Sequence, residues 1–156
     1  MKRHLLAILL AMLLISCEDV WNGMCGGDYL VNLYNKSADT VFVLTMMGKD
    51  TIPLDTTAYT KFWIAENTKS SVFAVDKSLD KLCDPIQIFV IDNDTMRKND
   101  LSLILERYNI ICRYDLSGSD IVALNYTIPY PPSPAMKDMK MYPPYEEIIK
   151  QEEYRR

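Results

Sequence analysis

Histidine is nearly missing from this 156-residue chain: the only one is His4, and none follows it. His4 is expected to leave with an N-terminal signal peptide, and its loss excludes serine–histidine–aspartate and cysteine–histidine nucleophile arrangements from the mature chain. It also excludes histidine metal sites such as H-E-x-x-H. Carboxylate-only chemistry, as in glycosidases, passes this filter. Long apolar runs are equally scarce. A membrane-crossing helix needs about 20 apolar residues, whereas the longest run here, Leu5 to Ile15, has 11 and is soon followed by Glu18 and Asp19. Positive charge is in the minority, with 17 Lys and Arg against 21 Asp and Glu and a net charge of −4. This argues against nucleic acid or an anionic membrane face as a partner.

What is present at the start is ordered. Lys2 and Arg3 precede the apolar run, and the small residue Ser16 precedes Cys17. A basic start, a short apolar stretch and a small residue at the cut form a secretory signal. The order Leu14-Ile15-Ser16-Cys17 resembles a bacterial lipoprotein signal. That resemblance implies a diacylglyceryl group on the Cys17 sulfur, cleavage before Cys17 and acylation of the new amine. Each buried methylene contributes about 0.8 kcal/mol, so two or three acyl chains anchor firmly. The expected location is the cell envelope, lipid-anchored at the outer membrane and surface-exposed. The membrane is then a partner through the lipid alone.

Residues 1–16 are read as the signal peptide. Cleavage leaves Cys17 to Arg156, 140 residues with 15 basic and 21 acidic groups and a net charge of −6. That length suits one domain with a real core. Residues 17–28 hold three of the five glycines and few apolar groups, and read as a tether. The domain is expected over 29–130, followed by a proline- and methionine-rich wrapping tail over 131–156. Beyond Cys17, the remaining cysteines are Cys25, Cys83 and Cys112. An oxidising envelope permits one bridge among them, with three pairings open. Cys112 is preferred as a small buried hydrophobe.

Strand patterns dominate the domain. Tyr29 to Tyr34 alternates, with Tyr29, Val31 and Leu33 on one face. The segment Asn35 to Asp39 is turn chemistry, and Thr40 to Met46 is rich in β-formers. This pair is expected to form a hairpin with a longer loop. Gly48 to Asp50 is another turn. Thr51 to Leu54 and Thr57 to Ile64 are weaker strand candidates, with Pro53 marking an edge. Glu66 to Ser71 reads as loop and Ser71 to Val75 as strand. Pro85 to Ile91 is almost wholly apolar, which fits a strand buried on both faces.

Asp92 to Thr95 reads as a turn. Leu101 to Arg107 reads as a helix capped by Asn99 or Asp100, with Leu101, Ile104, Leu105 and Tyr108 on the buried face. Asn109 to Leu116 returns to strand. Ser117 and Asp120 form a capping box for a helix over Ser119 to Leu124, and Tyr126 to Tyr130 is the last strand expected. Six of the eight prolines fall between Pro129 and Pro144. That stretch is expected to run extended over the surface, with Glu146 to Arg156 as a terminal helix.

The second half carries a recognisable set of motifs. Ile88-Phe89-Val90-Ile91-Asp92-x-Asp94-Thr95 is followed by Tyr108-Asn109-Ile110-Ile111. Then come Arg113-Tyr114-Asp115-Leu116-Ser117, Asp120, Leu124-Asn125 and Ile128-x-Tyr130-Pro131-Pro132. Together they resemble a family of uncharacterised lipoproteins common in Bacteroidota, over roughly residues 29–132. The chain departs from that pattern in Tyr126, where tryptophan is expected, in Gly118-Ser119, and in the tail after Pro132. The resemblance implies location and fold rather than an activity. It also favours reading Glu18-Asp19 as a surface-export signal, over inner-membrane retention or a solvated charge pair in a linker.

Candidate sites are few. Asp92 and Asp94 match only the start of a calcium loop, since Arg97 stands at the glycine position and no glutamate closes it. A turn or cap is the preferred role. Arg113 and Asp115 share a strand face and are expected to fix neighbouring backbone, with a polar spot for a partner as the alternative. Neither Glu106 with Asp120 nor Asp92 with Asp94 has spacing that supports an acid/base pair. Met136, Met139 and Met141 resemble a copper(I) thioether site, but adhesion of the tail is preferred. The repeated tripeptide Tyr130-Pro131-Pro132 and Tyr142-Pro143-Pro144 suits either partner docking or tail retention. Asp92, Asp94, Arg113, Tyr114, Asp115, Ser117, Tyr130, Pro131 and Pro132 are therefore read as a structural motif, with no catalytic residue, metal or cofactor.

The expected fold is mainly β and sandwich-like, or α+β, with antiparallel strands and two short helices. The expected function is a non-catalytic, lipid-anchored interaction module for an envelope protein or glycan. An inhibitor or immunity-type protein against a secreted toxin, and a carboxylate-only hydrolase, are the alternatives.

Overall fold

The computed structural model describes residues 29–47, 60–75 and 85–155. The signal, the tether, Cys17, Cys25, Cys83 and the segments around Gly48 to Leu54 lie outside the described residues, as does the export signal at Glu18-Asp19. Two sheets form the body. Strands β1 (Tyr29–Asn35), β4 (Thr68–Val75) and β7 (Thr127–Tyr130) make a three-stranded sheet in the order β4-β1-β7. Strands β2 (Val41–Met47), β3 (Thr60–Ile64), β5 (Ile86–Asp92), β6 (Cys112–Leu116) and β8 (Met141–Tyr142) make a five-stranded sheet in the order β3-β2-β5-β6-β8. Every described pairing is antiparallel except β1 with β7. The expectation of a β-rich sandwich or α+β fold therefore holds.

Period-two alternation explains the packing except in β4, where a register shift opposite Val31 and Asn32 lets both Val72 and Val75 face inward. Val31 and Leu33 of β1, Val72 and Val75 of β4 and Ile128 and Tyr130 of β7 face Val41, Val43, Ile64, Ile86, Ile88, Val90, Tyr114 and Leu116 of the larger sheet in one buried cluster. The outward residues of β2 and β5 are apolar as well. Phe42, Leu44, Met46, Phe89 and Ile91 pack against Leu101, Ile104 and Leu105. Those three lie on helix α2 (Leu101–Glu106), which follows α1 (Asn93–Lys98). The unbroken apolar run of β5 thus reflects a strand covered on both faces. Each fully buried large side chain there contributes about 1.5–3 kcal/mol.

Several local expectations are revised. β1 and β2 do not form a hairpin, because they lie in different sheets. The polar connection between them crosses the sandwich, and Asn35 secures the crossing with bonds to the carbonyls of Asp39, Ile64 and Ala65. Asp92 does not open a free turn but caps α1, accepting from the Thr95 amide at 2.9 Å. β4 begins at Thr68, inside the expected loop, and β6 begins only at Cys112. Tyr108 leaves the buried helix face and is 41% exposed. The reason is its backbone, which turns left-handed at φ 52° just after α2.

The tail is also more deeply integrated than an extended surface strap. After α3 (Gly118–Ala123) and β7, a 3-10 turn at Pro134–Met136 buries Met136 completely. Met141 adds β8 to the sheet edge. Helix α4 (Tyr145–Arg155) buries Ile148 in the inter-sheet core. Prolines sit where the sheet tolerates them: Pro129 lies on β7, at the edge of its sheet. Among the described residues, no helix is long and apolar enough to cross a membrane.

Candidate functional site

The site worth building lies on the outer face of the five-stranded sheet, beyond the part that α2 covers. Alternation along β6 sends Cys112, Tyr114 and Leu116 into the core and leaves Arg113 and Asp115 on the other face. Arg113 pairs with Asp115, a terminal nitrogen donating to Oδ2 at 3.0 Å and Nε lying 2.8 Å from Oδ1 as an ion-pair contact without a hydrogen bond. Lys140 approaches the same Oδ2 at 3.2 Å. The Asp115 carboxylate is fully buried, Arg113 nearly so, while the Lys140 side chain is 53% exposed. One buried anion is thus held by two cations, which compensates its desolvation.

Aromatic rings surround the guanidinium. Its central carbon lies 4.5 Å from the centre of the Tyr142 ring, 5.8 Å from Tyr108 and 5.9 Å from Phe89. Contacts of this length are attractive cation–π interactions. Tyr142 is the cross-strand neighbour of Arg113 on β8. Tyr108 reaches the group from the end of α2, in a left-handed conformation that costs a non-glycine residue about 1 kcal/mol. Its partial burial raises the hydroxyl above its ordinary pKa, against the pull of Arg113. Lys140 lies 5.7 Å from the Tyr142 ring centre. Gln87 is the cross-strand neighbour of Asp115 and is buried, with no hydrogen-bond partner for its amide nitrogen among the described residues.

The other residues of the expected motif are dispersed. Asp92 serves the α1 cap, and Asp94 makes an exposed pair with Lys98 at 3.5 Å. The Ser117–Asp120 capping box forms, with the Ser117 amide donating to Asp120 Oδ2 at 2.8 Å and Asp120's amide to Ser117 Oγ at 3.2 Å. Tyr114 is buried beside Cys112, and burial first, then Cys112, pushes its hydroxyl well above the ordinary range. Cys112 is buried as a thiol. The Tyr130 hydroxyl donates to Glu152 Oε1 of α4 at 2.7 Å. Pro131 follows Tyr130 through a cis bond, and Pro132 is buried beyond it.

Chemically, these carboxylates are engaged in caps, ion pairs and core hydrogen bonds. Glu106 is exposed on α2, and Asp120 is taken up by the capping box with Ser117. Met136 and Met141 are buried in the core, with Met139 packed against it. Among the described residues, no group of three or more histidine, cysteine, aspartate or glutamate side chains is placed to hold a metal ion. Sequence inspection found Arg113 and Asp115, placed Tyr108 on the buried helix face instead of beside them, and singled out neither Lys140 nor Gln87. The repeated Tyr-Pro-Pro was the only signal for Tyr142, and it carried no hint of Arg113.

No family model, no curated protein and no solved structure matches the chain.

Proposed function

We propose that this chain is a non-catalytic, lipid-anchored binding module of the bacterial cell envelope, held at the outer membrane through Cys17 and facing an envelope protein or glycan. The anchor rests on Lys2-Arg3, the 11-residue apolar run and Leu14-Ile15-Ser16-Cys17. The resemblance to Bacteroidota lipoproteins and the pair Glu18-Asp19 support display at the surface. The observation that carries the binding role is the Arg113 cluster. Its interior is locked by Asp115, while Tyr108, Tyr142 and Lys140 remain substantially exposed around it. A rigid base with an aromatic and cationic rim is what a recognition surface requires. Asp92, Asp115, Asp120 and Glu152 already serve the fold, which favours binding over carboxylate catalysis.

The test uses the full-length protein in the cells that make it. Incorporation of an alkyne-bearing fatty acid, lost in Cys17→Ser, supports the anchor. Crosslinking with a reagent that cannot enter cells, followed by purification, then reads display and partner together. An intact protein that carries no lipid and no external label would overturn the reading.

A further inference from the structure

We propose that Tyr29, Tyr126 and the α3 residues Val122 and Ala123 form a face that rests on the lipid bilayer, so that the domain meets the membrane through protein as well as through its anchor; this rests on the reading of the chain as lipid-anchored at Cys17. Tyr29 begins β1 and stacks on Tyr126, with ring centroids 4.7 Å apart and planes 10° from parallel. The Tyr126 amide donates to the Ile121 carbonyl of α3 at 3.0 Å, and the Asn125 amide to that of Val122 at 2.9 Å. These contacts join the start of β1 to α3 as one surface. Tyr29 is 40% exposed and Val122 49%, with Ala123 and Asn125 exposed beside them. Tyr126 takes a left-handed backbone at φ 55°, which a bulky residue adopts only under constraint. A conformation of that kind points to a use beyond packing.

Chain length selects the occupant. Cys17 and Tyr29 are twelve residues apart, a stretch that spans at most about 40 Å. A lipid on Cys17 therefore keeps the Tyr29 end of the sandwich close to the bilayer. A tethered surface needs little affinity of its own, because the tether supplies a high effective concentration. The chemistry suits the boundary between headgroups and acyl chains, which accommodates both the apolar ring and the polar hydroxyl of tyrosine. Ile121 to Met136 is the longest run without a charged residue after Cys17. Val122, Ala123 and Tyr126 thus approach the hydrocarbon with no charge among them to desolvate. A protein partner fits less well: stable interfaces bury about 800 Å² per partner, and a face built on three part-exposed large side chains offers less. The opposite end of the sandwich then points away from the membrane. Asn35, at the other end of β1, bonds the Ile64 carbonyl, and Trp63 precedes Ile64. The length of β1 places Trp63 about 20 Å from Tyr29.

Trp63 supplies the control, since it is 60% exposed and as free to enter lipid as a tryptophan placed at residue 122. The full-length acylated chain carrying Trp21→Phe, in which Trp63 is the remaining tryptophan, is compared with the same chain carrying Trp63→Phe and Val122→Trp. Both are purified from the cells that make them and checked by intact mass for acyl chains and by melting curve for folding. Each is reconstituted into phosphatidylcholine vesicles with or without bromine on the acyl chains near the headgroup. The expected result is a roughly twofold loss of fluorescence at residue 122 in brominated vesicles, because an interfacial side chain sits within about 10 Å of the headgroup boundary, and almost no loss at Trp63. Adding Tyr29→Ser and Tyr126→Ser should shrink the loss at 122; if that variant does not fold, the comparison of the two positions decides. Equal quenching at both positions, or none at 122 in an acylated chain, overturns the face and leaves the anchor standing. A host protein that crosslinks to the wild type on intact cells and is lost in Val122→Glu also overturns it, in favour of a protein occupant. A chain that carries no acyl group takes both readings down together.

Discussion

Asn35 Nδ2 donates to the Ile64 carbonyl at 3.0 Å, joining the end of β1 in one sheet to the end of β3 in the other. The same amide donates to Ala65 O at 3.0 Å and Asp39 O at 2.8 Å. Its Oδ1 accepts from the Ser37 amide and hydroxyl at 3.0 and 2.7 Å. One fully buried side chain therefore ties together two of the sheet-to-sheet crossings, β1 to β2 and β3 to β4.

Asn35→Ala is expected to destabilise the protein by about 2 kcal/mol, because one buried and two partly buried carbonyls lose their donor at once. Asn35→Asp removes the donors while keeping the shape, and should be nearly as costly. Urea unfolding of both variants checks this. A loss below about 1 kcal/mol would show that water replaces the side chain at little cost.

Asp115→Ala leaves Arg113 nearly buried without its main counter-charge. The expected cost is about 3 kcal/mol. Replacing both residues, as Arg113→Met with Asp115→Leu, should recover much of that loss, since paired removal leaves no uncompensated buried charge. A double-mutant cycle by chemical denaturation reads the coupling directly. Additive single losses would mean that the pair contributes nothing specific.

Burial raises the Tyr114 hydroxyl well above its ordinary pKa of 10.0. The folded state therefore keeps its proton at pH values where the unfolded chain releases one. The stability associated with the neutral form is complete below the unfolded pKa and declines as pH rises above it. Wild type should lose stability progressively above about pH 10. Tyr114→Phe should change stability little at pH 7 and flatten that alkaline decline. Thermal unfolding followed from pH 8 to 11 is the measurement, and an identical pH profile in the variant would refute the assignment.

Ile148 of α4 is fully buried, and Glu152 one turn on accepts from Tyr130. Ile148→Ala should cost about 3 kcal/mol, and a chain ending at residue 144 should lose at least as much. A domain closed at residue 130 would tolerate that truncation. Guanidinium unfolding of the two variants distinguishes these outcomes.

Local rules carried much of the fold. Alternation in β1, the double-sided apolar run of β5, the Leu101-Ile104-Leu105 face and the Ser117–Asp120 box each follow from residues a few positions apart, so their signals are contained within the segment. Arg113 and Asp115 were legible as a same-face pair for that reason. Their rim was not. Tyr108 depends on a left-handed turn after α2, and Tyr142 and Lys140 reach Arg113 only because the tail returns to pair β8 with β6.

By itself, the sequence determined the strand-rich class and the short capped helices, because spacing and residue type decide these locally. Tertiary structure alone decided that β1 and β2 part into separate sheets, that β7 runs parallel to β1, and that the methionine-bearing tail enters the core. The physical reason is that strand partners are chosen by burying apolar faces across the whole chain, a long-range competition that no single segment encodes.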